Sequence, residues 1–388
     1  MRRRYLIGPF LCFLATWTVG NGTLPLLPLY AMAHGASQST SGLFLAFAFF
    51  CLALGSMAPG MLSKTFRHRR PLLVACGVLI VILTWLCGHV GNVLQFAVVT
   101  GVDWFLAGVV FSQGATIIGL AAEPEDRGTA FGILGVTNGL GALIGGLSVG
   151  YIADRFGFRG VFDSLAAFCV LLIVGGLLTV EPPVSFPSES SREVTSSGRS
   201  LGGLLILLLV AQLFAAVANG TANLGRSLSM NAGGFSKSAI TLTAAIQGLV
   251  SLGFPLAMGW LSDRVGRRWV LIASYAATGA SVFLLAFSRS MWQFYAFAVL
   301  YSFFGASQAI GPAYVVDINP HGNVGRGVSL FQSIFWVGSI AGMASTGYAI
   351  ERMGITIPIL VSGFFPVAAA VLMLVSRGKT RPNEESST

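Results

Sequence analysis

Long apolar runs recur along the chain, and short polar segments separate them. About 20 consecutive apolar residues suffice for an α-helix to cross the hydrocarbon core of a bilayer. Twelve such runs can be recognised, near residues 5–30, 40–62, 71–90, 94–120, 128–152, 160–180, 201–226, 238–262, 269–288, 291–316, 327–350 and 356–376. They lack the alternation of apolar and polar positions that is typical of a membrane barrel. The pattern therefore predicts an all-α membrane protein with twelve transmembrane helices.

One polar interruption is much longer than the others. Residues 181–200 are rich in Ser and Pro, which is the composition of a flexible linker. They predict a division into an N-terminal half, residues 1–180, and a C-terminal half, residues 201–378, with six helices in each. Residues 379–388 are polar and predict a disordered tail.

Composition agrees with this pattern. Hydrophobic residues make up 54% of the chain, charged residues only 10%, and the mean hydropathy is +0.78. A soluble domain carries roughly 25% charged residues, so most of this surface cannot face water. The lipid bilayer is therefore expected to be part of the solvent of this protein.

The distribution of basic residues predicts the orientation. Of the 23 Lys and Arg, seventeen lie in segments on the side of the two termini, and six, Arg226 among them, lie in segments on the other side. Cytoplasmic segments carry the excess of positive charge. We therefore expect a multi-pass protein of the cell membrane whose termini, linker and tail are cytoplasmic. No base-stacking aromatics accompany the basic clusters, so the net charge of +9 does not indicate a nucleic-acid partner.

Patterns that indicate enzymes, metals or nucleotide cofactors do not occur. All five cysteines lie inside apolar runs, without metal-ligand spacing, and we expect them to pack as small buried residues. No GxxxxGK[ST] loop is present, so ATP is not the expected energy source. The helices hold no nucleophile–base pair or cluster of His, Asp and Glu. The sequence predicts no enzyme, no cofactor and no metal.

The two halves repeat each other at a shift near 199 residues. The matches lie in order and at equivalent places in each half: Gly60–Ser63 with Gly259–Ser262, Arg127-Gly128 with Arg326-Gly327, Asn21–Thr23 with Asn219–Thr221, and Gly150–Gly157 with Gly347–Gly354. Two parallel repeats related by an axis along the membrane normal are a known plan of transporters. The repeat predicts two pseudo-symmetric six-helix bundles.

One segment resembles a family signature. The run GWLSDRVGRR, residues 259–268, is similar to the signature between the second and third helices of a half in the major facilitator superfamily. LPLLPLY, residues 24–30, and GLGALIGG, residues 139–146, resemble motifs of its drug/proton antiporters, although Ala142 stands where Pro is usual. The resemblance implies a monomeric secondary transporter that moves a small organic solute by alternating access, with the proton as a possible coupling ion.

The resemblance also implies a gate, which we call the latch motif. Its members would hold the outward-facing state and release it during transport: Gly259, Asp263, Arg264, Gly266, Arg267 and Arg268. The alternative is that the arginines only anchor the orientation. The first half departs from the signature, because Lys64 replaces the Asp and Arg67 the second Gly. In the fourth helix Trp104 stands where the antiporters have Arg, so that arginine's proton-relay role cannot be transferred.

Asp103 is the one acidic residue well inside an apolar run, and we expect it to be the proton-coupling residue or a hydrogen-bonded structural Asp. Polar and aromatic residues at mid-membrane positions are candidates for a substrate cavity: Asn21, Trp104, Asn138, Asn219, Gln247, Gln308 and Trp336. Such an aromatic, charge-poor cavity would suit an amphipathic or cationic organic solute. Gly141, Gly145 and Gly146 are expected to allow close helix packing.

Three functions remain open. Export of drug-like or amphipathic compounds is favoured by the motifs in helices one and five. A metabolite importer or facilitator of the same superfamily is the first alternative. A receptor that has lost transport is the second, because the signature of the first half is degraded.

Overall fold

The computed structural model describes residues 4–61, 69–123, 126–181, 202–318 and 324–375. Every regular element in these ranges is an α-helix. The helices are α1 (Arg4–Thr23), α2 (Leu27–Ala33), α3 (Gln38–Met61), α4 (Arg69–Cys87), α5 (Val93–Ala121), α6 (Arg127–Leu178), α7 (Gly203–Ala232), α8 (Lys237–Ser251), α9 (Phe254–Val265), α10 (Arg267–Phe287), α11 (Met291–Ile318), α12 (Val324–Met353) and α13 (Thr356–Val375).

The described helices make twelve membrane crossings. Nine are individually long and apolar enough to span a bilayer, and the bent pairs α1/α2 and α8/α9 bring the number to eleven. Helix α6 has 52 residues, or about 78 Å at 1.5 Å per residue, which is more than twice the hydrocarbon thickness. It is interrupted at Gly157, whose φ of 69° is accessible to glycine, and so contains two spans. The predicted twelve-helix architecture is confirmed.

Proline accounts for both bent spans. Helix α1 ends before a turn that contains Pro25, and Pro28 stands in the first turn of α2, where its missing N–H is tolerated; the two axes differ by 54°. Pro255 occupies the same position at the start of α9, and the α8/α9 bend is 44°. A proline within a continuous helix would remove a hydrogen bond and clash with the preceding turn.

The helices form two bundles. Helices α1 and α3–α6 pack on one another in the first half, and α7 and α10–α13 do so in the second. The repeat seen in the sequence is visible in the backbone, because the paired glycines Gly35 and Gly234 have φ of 89° and 73°, and Gly157 and Gly354 have φ of 69° and 76°. The interhalf segment 182–201 lies outside the described residues, as do Lys64, Arg67 and the tail.

One predicted boundary is wrong. The apolar run predicts that helix seven ends at residue 226, but α7 continues to Ala232. The chain turns only at the pair Gly233-Gly234, where Gly234 has a φ of 73°. Arg226 is therefore a helical residue inside the bundle and does not belong among the basic residues of the loops.

Candidate functional site

We call the side of the membrane with both chain ends the terminal face, and the other side the opposite face. Between α6 and α8, the two halves meet through glycines on the opposite-face side. A Cβ at Gly146 would collide with the backbone of Ala245, and one at Gly150 with Thr241 Oγ1. Deeper in the membrane, a Cβ at Gly248 would lie 2.6 Å from the carbonyl oxygen of Gly139. Only glycine allows the two backbones to approach so closely.

Helices α3 and α12 meet in the same way, at the pseudo-symmetric position. We call the α6/α8 and α3/α12 contacts the glycine crossings. A Cβ at Gly42 would lie 2.6 Å from the carbonyl oxygen of Met343 and 2.9 Å from the Cα of Gly347. These two crossings carry most of the contact between the halves among the described residues.

A carboxylate from the other half caps a helix start at each crossing. Asp154 of α6 accepts hydrogen bonds from the backbone N–H of Lys237 at 3.0 Å and of Ser238 at 2.8 Å, at the start of α8. Glu351 of α12 accepts from Ser37 Oγ at 2.9 Å and from the backbone N–H of Ser39 at 3.0 Å, at the start of α3. The first N–H groups of a helix lack internal acceptors and attract negative charge. We call Asp154 and Glu351 the carboxylate caps.

On the terminal-face side the same helices separate. Beyond its bend α9 packs on α10 and α11 of its own half. A Cβ built at Gly132 or Gly135 of α6, or at Gly259 of α9, meets no atom within 4 Å. Among the described residues the halves are thus in contact at the opposite face and apart at these glycines; we call the opposite face closed, the terminal face open and the space between them the cleft.

The latch motif lies at the open side and forms its contacts within the second half. Arg267 Nη1 donates to Asp317 Oδ1 at 2.9 Å and to the carbonyl of Ala313 at 2.8 Å, which joins α10 to the end of α11. Asp263 has a side chain 68% exposed, and among the described residues its one ion pair is with Arg267, at 3.5 Å. Gly266 between α9 and α10 has a φ of 100°. No described residue of the first half engages Asp263.

The other arginines of the motif contact α13 and α9 of the second half. Arg268 donates from Nε to the carbonyl of Met373 at 3.1 Å and from Nη2 to that of Leu374 at 3.0 Å. A cation at the carboxyl end of α13 is favourable because the last carbonyls of a helix lack internal donors. The guanidinium of Arg264 lies 3.8 Å from the centre of the Trp260 ring.

A chain of aromatic rings crosses from one half to the other. The ring centres of Trp104 on α5 and Phe49 on α3 are 5.2 Å apart, and those of Phe49 and Trp336, on α12 in the other half, are 5.9 Å apart. The chain continues within the second half through Phe335, Phe304 and Tyr301. The sequence-predicted Trp104 and Trp336 are thus brought together through Phe49.

The aromatic chain ends at a polar network. Tyr301 donates its hydroxyl proton to Asn219 Oδ1, and Asn219 Nδ2 donates to Ser339 Oγ at 2.9 Å. Arg226, only 2% exposed, donates from Nη1 to Gln247 Oε1 at 2.8 Å. The sequence predicted a charge-poor cavity, and the longer α7 adds a buried guanidinium beside the candidate Gln247. A charge at the centre of a bilayer costs about 2.5–3.5 kcal/mol, so it points to function.

The remaining amide candidates form two separate pairs. Asn21 donates to Asn138 Oδ1 at 2.8 Å, between α1 and α6, where Asn138 is exposed. Gln308 pairs with Gln212, at 3.0 Å, in the interior of the second half, so it is not brought to the other candidates. Gly141 and Gly145 pack against α1, whereas Gly146 packs against α8.

Asp103 lies inside the first bundle and is 7% exposed. Thr84 Oγ1 of α4 donates to Asp103 Oδ1 at 3.2 Å, and the same hydroxyl lies 3.9 Å from Cys169 Sγ in the second span of α6. Asp103 is the one acidic side chain that is buried among the described residues. It is separate from the interhalf aromatic chain, although its neighbour Trp104 is a member.

The family model of the Major Facilitator Superfamily matches residues 7–225 and again residues 204–388. The chain belongs to the major facilitator superfamily. It is therefore a multi-pass membrane transporter and not an enzyme. It is 28% identical over 295 residues to the "Multidrug resistance protein MdtG" of Enterobacter lignolyticus, which covers 73% of this chain and 70% of that protein.

Solved structures share its fold. A bacterial homolog of the human lysosomal transporter Spinster, in an inward-facing and unoccupied conformation, has a TM-score of 0.71 at 16% identity and covers 96% of both chains. A D-xylose-proton symporter has a TM-score of 0.74 at 16% identity and covers 95% of both chains. Identities this low show the fold alone.

Sequence reasoning missed Arg226, Phe49, Tyr301 and the carboxylate caps. The Gly233-Gly234 pair was the available signal that helix seven runs past residue 226. Asp154 and Glu351 were aligned by the internal repeat, but their helix-start partners belong to the other half. Nothing in the repeat indicates which helix start each carboxylate contacts.

Proposed function

We propose that this transporter exports amphipathic aromatic compounds in exchange for protons by alternating access. The observation that carries the proposal is the one-sided closure: the halves meet through glycine crossings and carboxylate caps at the opposite face and separate at the terminal face. Rocking of two rigid halves about a central site would open one side as it closes the other. The predicted cytoplasmic terminal face would make this the inward-facing state.

The aromatic chain supports the substrate class. Its rings come from both halves and lie between the closed and open sides. A flat organic molecule could stack on them there and still allow the halves to move against each other. The multidrug resistance relative supports export of such compounds. Import remains the alternative function, as in the xylose–proton symporter, which shares the fold.

Asp103 supports proton coupling. It is a buried carboxyl with one hydroxyl donor and no cationic partner among the described residues, so it can exist in a protonated form without breaking an ion pair. Its helix neighbour Trp104 belongs to the aromatic chain, which would connect protonation to the substrate site through α5.

Transport by the reconstituted protein under an imposed pH gradient tests whether solute and proton move in opposite directions. With the membrane potential clamped, an exchanger accumulates solute in vesicles with an acidic lumen, and a proton symporter does so in vesicles with an alkaline lumen, whichever way the protein is inserted. Three probes share one ring system, and their passive leak is subtracted with protein-free vesicles: naphthalene sulfonate, naphthalene sulfonamide and naphthylmethyl trimethylammonium. Accumulation of a probe only with an alkaline lumen would contradict exchange.

Asp103→Asn tests the coupling residue. The amide keeps the hydrogen bond to Thr84 but cannot exchange a proton, so we expect gradient-driven accumulation to vanish while downhill counterflow of the probe remains. Asp163→Asn, an exposed carboxyl on α6, is the matched control. Gradient-driven accumulation by Asp103→Asn would overturn the assignment.

A further inference from the structure

We infer that Arg226 binds an anionic group of the substrate, so that the transporter selects amphipathic aromatic anions such as organic sulfonates or carboxylates. This rests on the proposed function and specifies its substrate class. It departs from the expectation of an amphipathic or cationic solute, which depended on a charge-poor cavity, by making the amphipathic solute an anion.

Arg226 has no counterion in the described part of the chain. No carboxylate among the described residues forms an ion pair with it, and its one hydrogen bond there is to the amide oxygen of Gln247. Its Nε is buried and donates to no acceptor. A guanidinium has five N–H donors arranged to hold two oxygens of an anion side by side. A buried cation with unused donors is an incomplete site.

The neighbours of Arg226 lie deep in the membrane. Gln247 is the eleventh residue of α8, and Tyr301 the eleventh of α11, counted from the opposite face. Ten residue steps of 1.5 Å place both about 15 Å below the helix starts, near the middle of the hydrocarbon core. A side chain in a helix leans toward the N-terminus, so Arg226 on α7 leans from the opposite face toward this level. Loop anchoring does not explain a guanidinium at this depth.

Arg226 also lies next to the aromatic chain. Arg226 contacts Gln247, which is half-buried on the helix that bends at the cleft. Tyr301, whose hydroxyl bonds Asn219 two turns before Arg226 on α7, is the end of the ring series that crosses both halves. A ring system with one acidic group could stack on the aromatic chain and replace Gln247 as the partner of Arg226.

Binding of the three naphthalene probes to the purified transporter tests this, by thermal stabilisation and by equilibrium dialysis. We expect the sulfonate to bind at least tenfold more tightly than the sulfonamide and the ammonium compound. Arg226→Gln should remove that preference while leaving the weak sulfonamide binding unchanged. Arg226→Lys should keep part of the preference, because it retains the charge without the two-pronged geometry.

Controls separate binding from folding. Arg155→Gln removes an exposed arginine of the opposite face and should change no probe affinity. If Arg226→Gln does not fold, Gln247→Leu with Arg226 intact gives a second test: freeing the guanidinium should preserve or raise the sulfonate preference. Equal affinity of wild type for sulfonate and sulfonamide, no binding of the sulfonate at millimolar concentration, or parallel loss of both in Arg226→Gln would overturn the inference.

The outcomes distinguish this inference from the proposed function. Arg226-dependent sulfonate binding without accumulation in acidic-lumen vesicles would refute proton-coupled export and leave the anion site standing. Export of the ammonium compound or the sulfonamide, unchanged in Arg226→Gln, would refute the anion site and leave export standing.

Discussion

The two faces of the transporter are built differently. At the opposite face the halves touch backbone to backbone at Gly146 and Gly42, and each crossing ends at a carboxylate cap from the partner half. At the terminal face, Arg267 joins α10 to α11 and Arg268 joins α10 to α13, all within the second half. The closed face is thus held by contacts between halves, and the open face is stiffened by contacts within one.

This difference suggests how the closure can be reversed. The backbones at the crossings approach each other through glycines, and the caps are exposed enough for water to take over their hydrogen bonds. Opening the opposite face therefore requires separation of smooth surfaces and exchange of a few hydrogen bonds. Asp263, exposed in this state, is free to engage when the terminal face closes.

The largest expected effect comes from filling a glycine crossing. Gly146→Val places a branched side chain against the α8 backbone, so the opposite face cannot close, and overpacking of this kind costs about 1–3 kcal/mol. We expect initial transport rates in proteoliposomes to fall at least tenfold while membrane insertion persists. Gly135→Val on the same helix has open space at its Cβ and should transport normally. Wild-type rates in Gly146→Val would show that this crossing is not part of the cycle.

An intermediate effect is expected from the carboxylate caps. Removing a negative charge from a helix start costs about 0.3–1 kcal/mol, or up to roughly a fivefold shift in population, so Asp154→Asn and Glu351→Gln should each favour opening of the opposite face. The readout is the thiol-labelling rate of Thr241→Cys, because Thr241 is fully buried at the α6/α8 crossing. Because both caps hold one closed state, the double variant should label fastest.

Asp163→Asn on the same helix is the control for the caps, and it should leave labelling unchanged. If labelling of the double variant is no faster than that of the control, the caps are ordinary surface hydrogen bonds. A response in Asp154→Asn alone would show that the pseudo-symmetric crossings are unequal in strength.

The smallest effect on this state is expected at the latch motif. Asp263→Asn removes one exposed ion pair, so thermal stability of the terminal-open state should change by less than about 0.5 kcal/mol. Probe binding should persist and turnover should slow, because the missing contact belongs to the other state. Unchanged turnover of correctly folded Asp263→Asn would leave the arginines as orientation anchors only.

Much of the fold follows from local sequence. Long apolar runs give the twelve spans because lipid offers no partner to unpaired backbone groups, and Pro28, Pro255 and Gly157 account for the two bent spans and the break in α6. The internal repeat predicted two bundles, and the glycine-rich stretch of helix five predicted close packing. The predicted end of helix seven is wrong, because a lone Arg at the end of an apolar run predicts a loop but here lies within the helix.

The sequence by itself determined the membrane class, the spans, the repeat and the superfamily, because these depend on composition, periodicity and local motifs. Only the tertiary structure decided which side is closed, which half each carboxylate caps, and that Arg226 lies buried beside Tyr301 and Gln247. These facts depend on how helices far apart in the chain are placed against one another. A helix sequence determines which residues share its face, but the contacts of that face are set by packing.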